Sequence, residues 1–464
     1  MGTTSSSYRE LAIPDLELFV FGRCPRPVSV RELTIGGGTV YPELNFTLPP
    51  MSITAQTMND VEAQYAEMVD EALTRAAALH VPGLVVEFEL LPDLTETPEW
   101  GARVTAILRE ALDRHHQSDG LAGALRVTPN DIREFIRPPL MRRGEKWERM
   151  LRSFELCAQA GADLLAIEST GGKEINDDAL VAGDLPLAVL ALGVLAPRDM
   201  AFLWDVIVEI AERNGCVASG DSACGFANTA MVLADMRHVP RVWAATIRVM
   251  SVARSLVAFE RGAIGPSKDC AYEGPYLKAI TGCPIALEGA AAAVAHLSPI
   301  GNIAQATADL WSNESVANIK LLGGMAPTVS MEQLAYATRL MNAATAAGQA
   351  LQLRDLLVSS DASLDPQAHV LRPDVVLELS AEIIAEATPY RRVRRAAIAT
   401  LASLRAATAG GVLELGRGEL RWLDRLSAAA EALPDDEEAF IAQALPLVDS
   451  AKVRLEEYEL EPGG

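Results

Sequence analysis

Asp163-Leu-Leu-Ala-Ile-Glu-Ser169, followed at once by Thr170-Gly-Gly-Lys-Glu174, is the stretch from which the fold can be read. A short apolar run bounded by turn residues reads as a strand buried on both faces. It ends in an acidic residue and a Gly-Gly turn, and Leu151, Phe154, Cys157 and Ala158 precede it at helical spacing. Outward from here the same unit recurs. Strands are expected at 33–40, 83–90, 122–128, 163–169, 215–220, 255–260, 284–288 and 318–322, with helical stretches between them, as at Val61, Tyr65, Met68 and Ala72. Alternating strands and helices imply a parallel sheet. Eight units within residues 1–350 are the count of an α/β fold of the (β/α)8 TIM-barrel type, which takes about 250 residues or more. A doubly wound open sheet is the competitor, but no Gly-rich dinucleotide fingerprint follows the first strand.

From residue 351 the strand signal stops. Segments 374–387, 391–407, 418–433 and 437–455 read as helices, the last opened by the acidic turn Asp435-Asp-Glu-Glu438 that suits a helix dipole. The chain therefore divides into a barrel with an N-terminal extension, 1–350, and an all-helical region, 351–464. The basic cluster Arg391, Arg392, Arg394 and Arg395 reads either as a salt-bridged helix face or as a docking patch for a phosphate-bearing group.

The 464 residues carry a formal net charge of −22, which argues against a nucleic-acid binder because phosphate neutralisation needs surplus Lys and Arg. Half the residues are hydrophobic, so a sizeable core is expected and disorder is excluded as the main state. The longest apolar run, 185–197, falls short of the roughly 20 residues of a spanning helix. The N-terminus lacks the basic and apolar regions of a signal peptide. Six cysteines, at 24, 157, 216, 224, 270 and 283, are too few for a disulfide framework in so long a chain. The expectation is a soluble cytoplasmic protein with reduced thiols.

In a barrel, chemistry sits at the carboxyl ends of the strands. Those ends carry Glu87 and Glu89, then Arg126, Thr128 and Asp131, then Glu168, then Asp221, Ser222 and Cys224, then Lys268, Asp269 and Cys270, and finally Glu288, His296 and Asn302. Glu168, Cys224 and Cys270 follow three consecutive expected strands. Neighbouring strands lie about 4.8 Å apart, so residues above them can converge on one point. Two thiolates and a carboxylate with an open fourth position make a catalytic zinc site. The competing reading is a set of inert buried thiols, which holds for Cys24, Cys157, Cys216 and Cys283. Gly171-Gly-Lys173 reads either as an anion cradle or as an ordinary turn. The histidines make no triad, and only His296 falls on the rim.

At these segments the sequence resembles the zinc-dependent methanol:corrinoid methyltransferases. The resemblance is carried by Glu168-Ser-Thr-Gly-Gly-Lys-Glu174, Ala227-Asn-Thr-Ala-Met231, Arg254-Ser-Leu-Val-Ala258, Gly265-Pro266 with Lys268-Asp-Cys270, Lys278-Ala-Ile-Thr-Gly282, Trp311-Ser-Asn-Glu-Ser-Val316 and Ala432-Leu-Pro-Asp-Asp436. It implies a (β/α)8 barrel with a helical extension and zinc held by Glu168, Cys224 and Cys270. It also implies methyl transfer from methanol to cobalt(I) of a corrinoid (cobalamin). The chain lacks the Asp-x-His-x-x-Gly signature of corrinoid carriers, so the corrinoid is expected on a partner protein, in a homodimer or hetero-oligomer. Asp221, Asp269 or a nearby Glu is the candidate proton relay. The chain departs from the family pattern at Ala223 and Phe226, and in the loops at 297–299 and 317–326. If those residues line the pocket, a bulkier donor such as a methyl ether competes with methanol.

Overall fold

A computed structural model describes residues 8–48, 51–268, 270–316, 320–321 and 324–460. Seven strands form one parallel sheet: β3 (Tyr41–Thr47), β4 (Leu84–Glu89), β5 (Gly123–Thr128), β6 (Leu164–Ile167), β7 (Val217–Asp221), β8 (Ala286–Glu288) and β9 (Leu310–Val316), after an antiparallel hairpin of β1 (Arg23–Val30) and β2 (Leu33–Gly37). Across the sheet the order is β7-β6-β5-β4-β3-β9-β8. The gap between β7 and β8 is spanned by residues 264–267. Ile264 and Gly265 donate backbone N–H groups to Ala218 and Ser219 of β7, and Ser267 bridges in parallel to Ile285 beside β8. This irregular stave closes an eight-membered (β/α)8 circle, and a helical region follows, as expected from the sequence.

Three of the expected strands fall elsewhere. Residues 255–260 end the helix Arg241–Glu260, and the sixth stave begins just after it. Residues 33–40 belong to the hairpin rather than to the barrel, whose first strand is β3. The last barrel strand is β9; of 318–322, only Lys320–Leu321 lies among the described residues, in a short hairpin with Gly324–Met325.

The hairpin has a definite place. Val30, Leu33 and Ile35 pack with Tyr41, Val85, Ala124, Leu164, Ala286 and Leu310, which stand at or near the amino ends of the barrel strands. It therefore forms an apolar floor under the barrel. The opposite, carboxyl end is left for chemistry.

The apolar run at 185–197 continues as a helix to Asn214. By length and composition, Leu185–Asn214 and Arg241–Glu260 could each cross a membrane, but 78% and 100% of their most apolar windows are buried inside the molecule. The second lies between the barrel and the C-terminal helices, packed along Pro389–Ala409. Every residue from Val242 to Phe259 is buried, so the helix has no solvent-facing side, and polar residues Arg248, Ser251, Arg254 and Ser255 are buried too. Ala350–Asp361, Pro366–His369, Pro373–Ile384, Arg417–Glu431 and Glu437–Ala444 also belong to the helical region, and Asp436 caps the last by accepting from the Ala439 N–H at 2.9 Å. The arginine cluster is salt-bridged: Arg392 to Glu260 at 2.9 Å, Arg394 to Asp435 at 2.7 Å, and Arg395 to Glu382.

Candidate metal centre

Glu168 is the first residue after β6, Cys224 stands three residues after β7, and Cys270 three after the closing stave. Their donor atoms lie within 4.8 Å of one another. The Cys270 thiol donates to Glu168 Oε1 at 3.0 Å. Convergence follows from the topology, since the three segments leave adjacent staves on the same rim.

Each ligand loop is fixed from below. Asp131 accepts from the Thr170 N–H and hydroxyl at 2.8 and 2.9 Å and also pairs with Arg133, which in turn pairs with Asp199; all three charged groups are buried. Gly171 is required here, because a Cβ would fall 2.4 Å from Asp199 Oδ2. The Gly172 N–H donates to the Tyr458 hydroxyl at 3.1 Å, and Lys173 pairs with Asp177 at 2.7 Å. The Gly-Gly turn therefore acts as a packing device, and the anion-cradle reading finds its groups engaged. At Cys224, the Asn228 amide donates to the sulfur at 3.7 Å, and Glu273 accepts from the Ala223 N–H at 2.8 Å. Ser222 Oγ lies 3.5 Å from Cys270 Sγ.

Sequence reasoning gave Lys268 no role. Its ammonium is buried, 3.1 Å from Glu87, 3.9 Å from Glu89 and 3.4 Å from Glu168. No local signal marks a lysine two residues before a cysteine as a carboxylate anchor. Deeper in the barrel Arg126 pairs with Glu43 at 2.7 Å, both fully buried.

Asp221 lies below the rim rather than in the cavity. One oxygen accepts from the Ser169 N–H at 3.2 Å and from Arg254 at 3.0 Å, and the other from the Trp204 indole at 2.9 Å. Arg254 also bonds Ser169, so this aspartate ties the Glu168 loop to the long buried helix. Asp269 lies outside the described residues.

A cavity of about 360 Å³ opens beside the cluster, lined among others by Glu168, Cys224, Glu89, Asp131, Glu134 and Asn228. Phe226 does not reach it. That ring is buried under the Arg254 guanidinium, 4.8 Å from its centroid, and neither Ala223 nor 297–299 lines the cavity. The aromatic lining expected to favour a bulky methyl donor is absent from this wall.

The donor set fits zinc. Burial, then the Cys224 thiol and the Glu168 carboxylate, push the Cys270 thiol well above its ordinary range. A hydrogen bond with Cys270 favours the Cys224 thiolate, but burial and the charges of Glu168 and Glu89 outweigh it and push that thiol up to about 11. Burial thus favours the protonated thiols, and a bound dication draws thiolates from such a set. Three clustered donors, of which Glu168 and Cys224 line the cavity, leave room for the open fourth position of a catalytic zinc site.

The match to known proteins extends over nearly the whole chain. Residues 5–459 match the family described as methanol-cobalamin methyltransferase B subunit. The methanol–corrinoid protein co-methyltransferase of Methanosarcina barkeri (strain Fusaro / DSM 804) is 36% identical over 443 residues, covering 94% of this chain and 95% of its own. A chain in the crystal structure of the methanol:cobalamin methyltransferase complex MtaBC from Methanosarcina barkeri superposes with a TM-score of 0.94 at 35% identity, covering 98% of this chain and 99% of that one. A likeness this complete, extending from the first strands through the C-terminal helices, leaves one assignment: the chain belongs to the family of methanol-cobalamin methyltransferase B subunits.

Proposed function

We propose that this chain is a zinc-dependent methyltransferase that moves the methyl group of methanol to cobalt(I) of a corrinoid carried by a partner protein. The observation that carries the reading is the convergence of Glu168, Cys224 and Cys270 within 4.8 Å at the edge of the cavity. Those three residues would hold the zinc. When bound, zinc supplies Lewis acidity to the methanol oxygen, since hydroxide is a poor leaving group.

The chain's own side chains do the rest. Lys268 draws Glu168 toward the barrel axis, and the Asp131–Arg133–Asp199 chain fixes the loop behind it. Asn228 steadies the Cys224 sulfur from the cavity side. Asp221 is a positioning residue, acting through Arg254 and Ser169. The departing oxygen needs one proton to leave as water, and Asp269, between Lys268 and Cys270 in sequence, is assigned to deliver it. The cavity provides the open face on which the partner's corrinoid meets the methyl carbon. We place the protein in the cytoplasm, in keeping with its six free cysteines, and in a hetero-oligomer with the corrinoid protein.

The test is methyl transfer from methanol to cobalt(I) cobalamin, followed by absorbance, with metal analysis of each sample. Wild type should hold about one zinc in this site and form methylcobalamin. Cys224→Ala and Cys270→Ala should lose the zinc and at least about a thousandfold in rate while keeping the wild-type circular dichroism. Normal zinc in both variants, or no methyl transfer by wild type, would overturn the proposal.

A further inference from the structure

The two cysteine loops are tied to each other twice, in opposite directions. The Ala271 N–H donates to Ser222 Oγ at 3.2 Å, and the Ala223 N–H donates to Glu273 Oε1 at 2.8 Å. Each loop thus lends a side-chain acceptor to the backbone beside the other loop's sulfur, since Ala223 precedes Cys224 and Ala271 follows Cys270. Ser222 and Glu273 are both buried, so water does not compete for either bond. The second bond has an anchor as well. Glu273 Oε1 accepts from the Ser255 hydroxyl at 2.7 Å, on the buried helix Arg241–Glu260. Among the described residues, the backbone bonds that join β7 to the irregular stave are made at Ala218 and Ser219 and stop short of both sulfurs.

We infer, resting on the proposed zinc reading of this centre, that Ser222 and Glu273 are positioning residues that preset the separation of the two sulfurs before a metal binds. Two sulfurs on separate loops carry the entropy of ordering both loops, and a metal that had to gather them would bind more weakly for it. The reciprocal bonds place that ordering in the folding of the chain. Ser222 has a further part, which the proton inventory assigns. Cys270 has one thiol proton and directs it to Glu168 Oε1 at 3.0 Å, so the 3.5 Å contact between Ser222 Oγ and Cys270 Sγ is made by the serine proton. The same oxygen accepts from Ala271 with a lone pair and donates its own proton to the sulfur. A metal replaces the thiol proton and leaves the serine proton in place, as an outer contact that orients the ligand and moderates its charge.

Cobalt(II) titration of the full-length metal-free chain reads both roles, because the near-ultraviolet charge-transfer band reports the thiolates and chelator competition reports affinity. Ser222→Ala should move that band to longer wavelength, since a thiolate that loses a hydrogen bond gives up its electron more readily. Glu273→Ala should weaken cobalt and zinc about 10–100-fold. Glu273→Gln, whose amide oxygen can accept the same two bonds, should bind like wild type. Circular dichroism matching wild type confirms that each variant is folded; if Glu273→Ala does not fold, the band of Ser222→Ala decides. A Ser222→Ala band at the wild-type wavelength, with wild-type affinity in every folded Glu273 variant, would overturn the inference alone. Glu273→Gln binding as weakly as Glu273→Ala would make the loss one of packing and overturn the role of Glu273. A wild-type chain with no thiolate band would overturn the zinc reading itself, and the inference with it.

Discussion

The inside of the barrel and the layer around the Arg241–Glu260 helix are buried to the same degree but differ in make-up, the first rich in ion pairs and the second mostly aliphatic. In the barrel, Glu43, Glu87, Arg126 and Lys268 are at most 3% exposed and occupy space that branched aliphatic side chains fill in most barrels. Around the helix, most buried side chains are Val, Ala, Ile, Leu and Met, packed against Pro389–Ala409, with Arg248 and Arg254 as buried charged exceptions. Taking charges out of water costs more than their attraction returns unless the geometry is tight, so the ionic interior is a poor source of stability. It holds carboxylates at fixed positions beneath the candidate metal donors. Stability comes from the aliphatic layer, and precision from the ionic one.

That contrast can be broken in a graded series. Arg126→Met removes the guanidinium from buried Glu43 and should cost about 3–5 kcal/mol in urea unfolding. Adding Glu43→Leu should restore much of the loss; if it deepens the loss, the interior is a net source of stability and the contrast is wrong. Leu404→Ala, in the aliphatic layer, should cost about 3 kcal/mol with zinc content unchanged. Asn228→Ala should leave the unfolding midpoint almost in place yet weaken zinc about 10–100-fold in chelator competition. The smallest effect belongs to Arg394→Ala, whose partner Asp435 is 84% exposed; a change beyond about 0.5 kcal/mol would show that the salt-bridged surface counts for more than assigned.

The same contrast explains what could be read from the sequence. β4, β5, β6, β7 and β8 fell within a residue or two of their expected positions because their apolar runs are short and bounded by turn residues. β3 and β9 escaped notice. Tyr41-Pro-Glu-Leu-Asn-Phe-Thr47 is buried along nearly its whole length, but Glu43 and Asn45 face the ionic interior and erase the hydrophobic signature of a buried strand. Leu310-Trp-Ser-Asn-Glu-Ser-Val316 hides for the same reason. Conversely, 255–260 looked like a strand because a helix buried on every side has no solvent-facing polar stripe to betray its period. In the candidate centre, residue type and strand-end position were enough to nominate Glu168, Cys224 and Cys270. The place of Asp221 and the turn of Phe226 under Arg254 depend on contacts with distant elements, which no local pattern encodes.

The apolar floor made by the hairpin has a kinetic consequence. Among the described residues the hairpin closes the amino end of the barrel, and the cavity opens at the carboxyl end. Under the proposed function, methyl donor, departing water and the corrinoid partner would share that end, and a macromolecule seated across it would block traffic behind it. The small alcohol would then enter before the partner docks, and water would leave after it lifts away. The order of turnover would be set by the end of the barrel farthest from the chemistry.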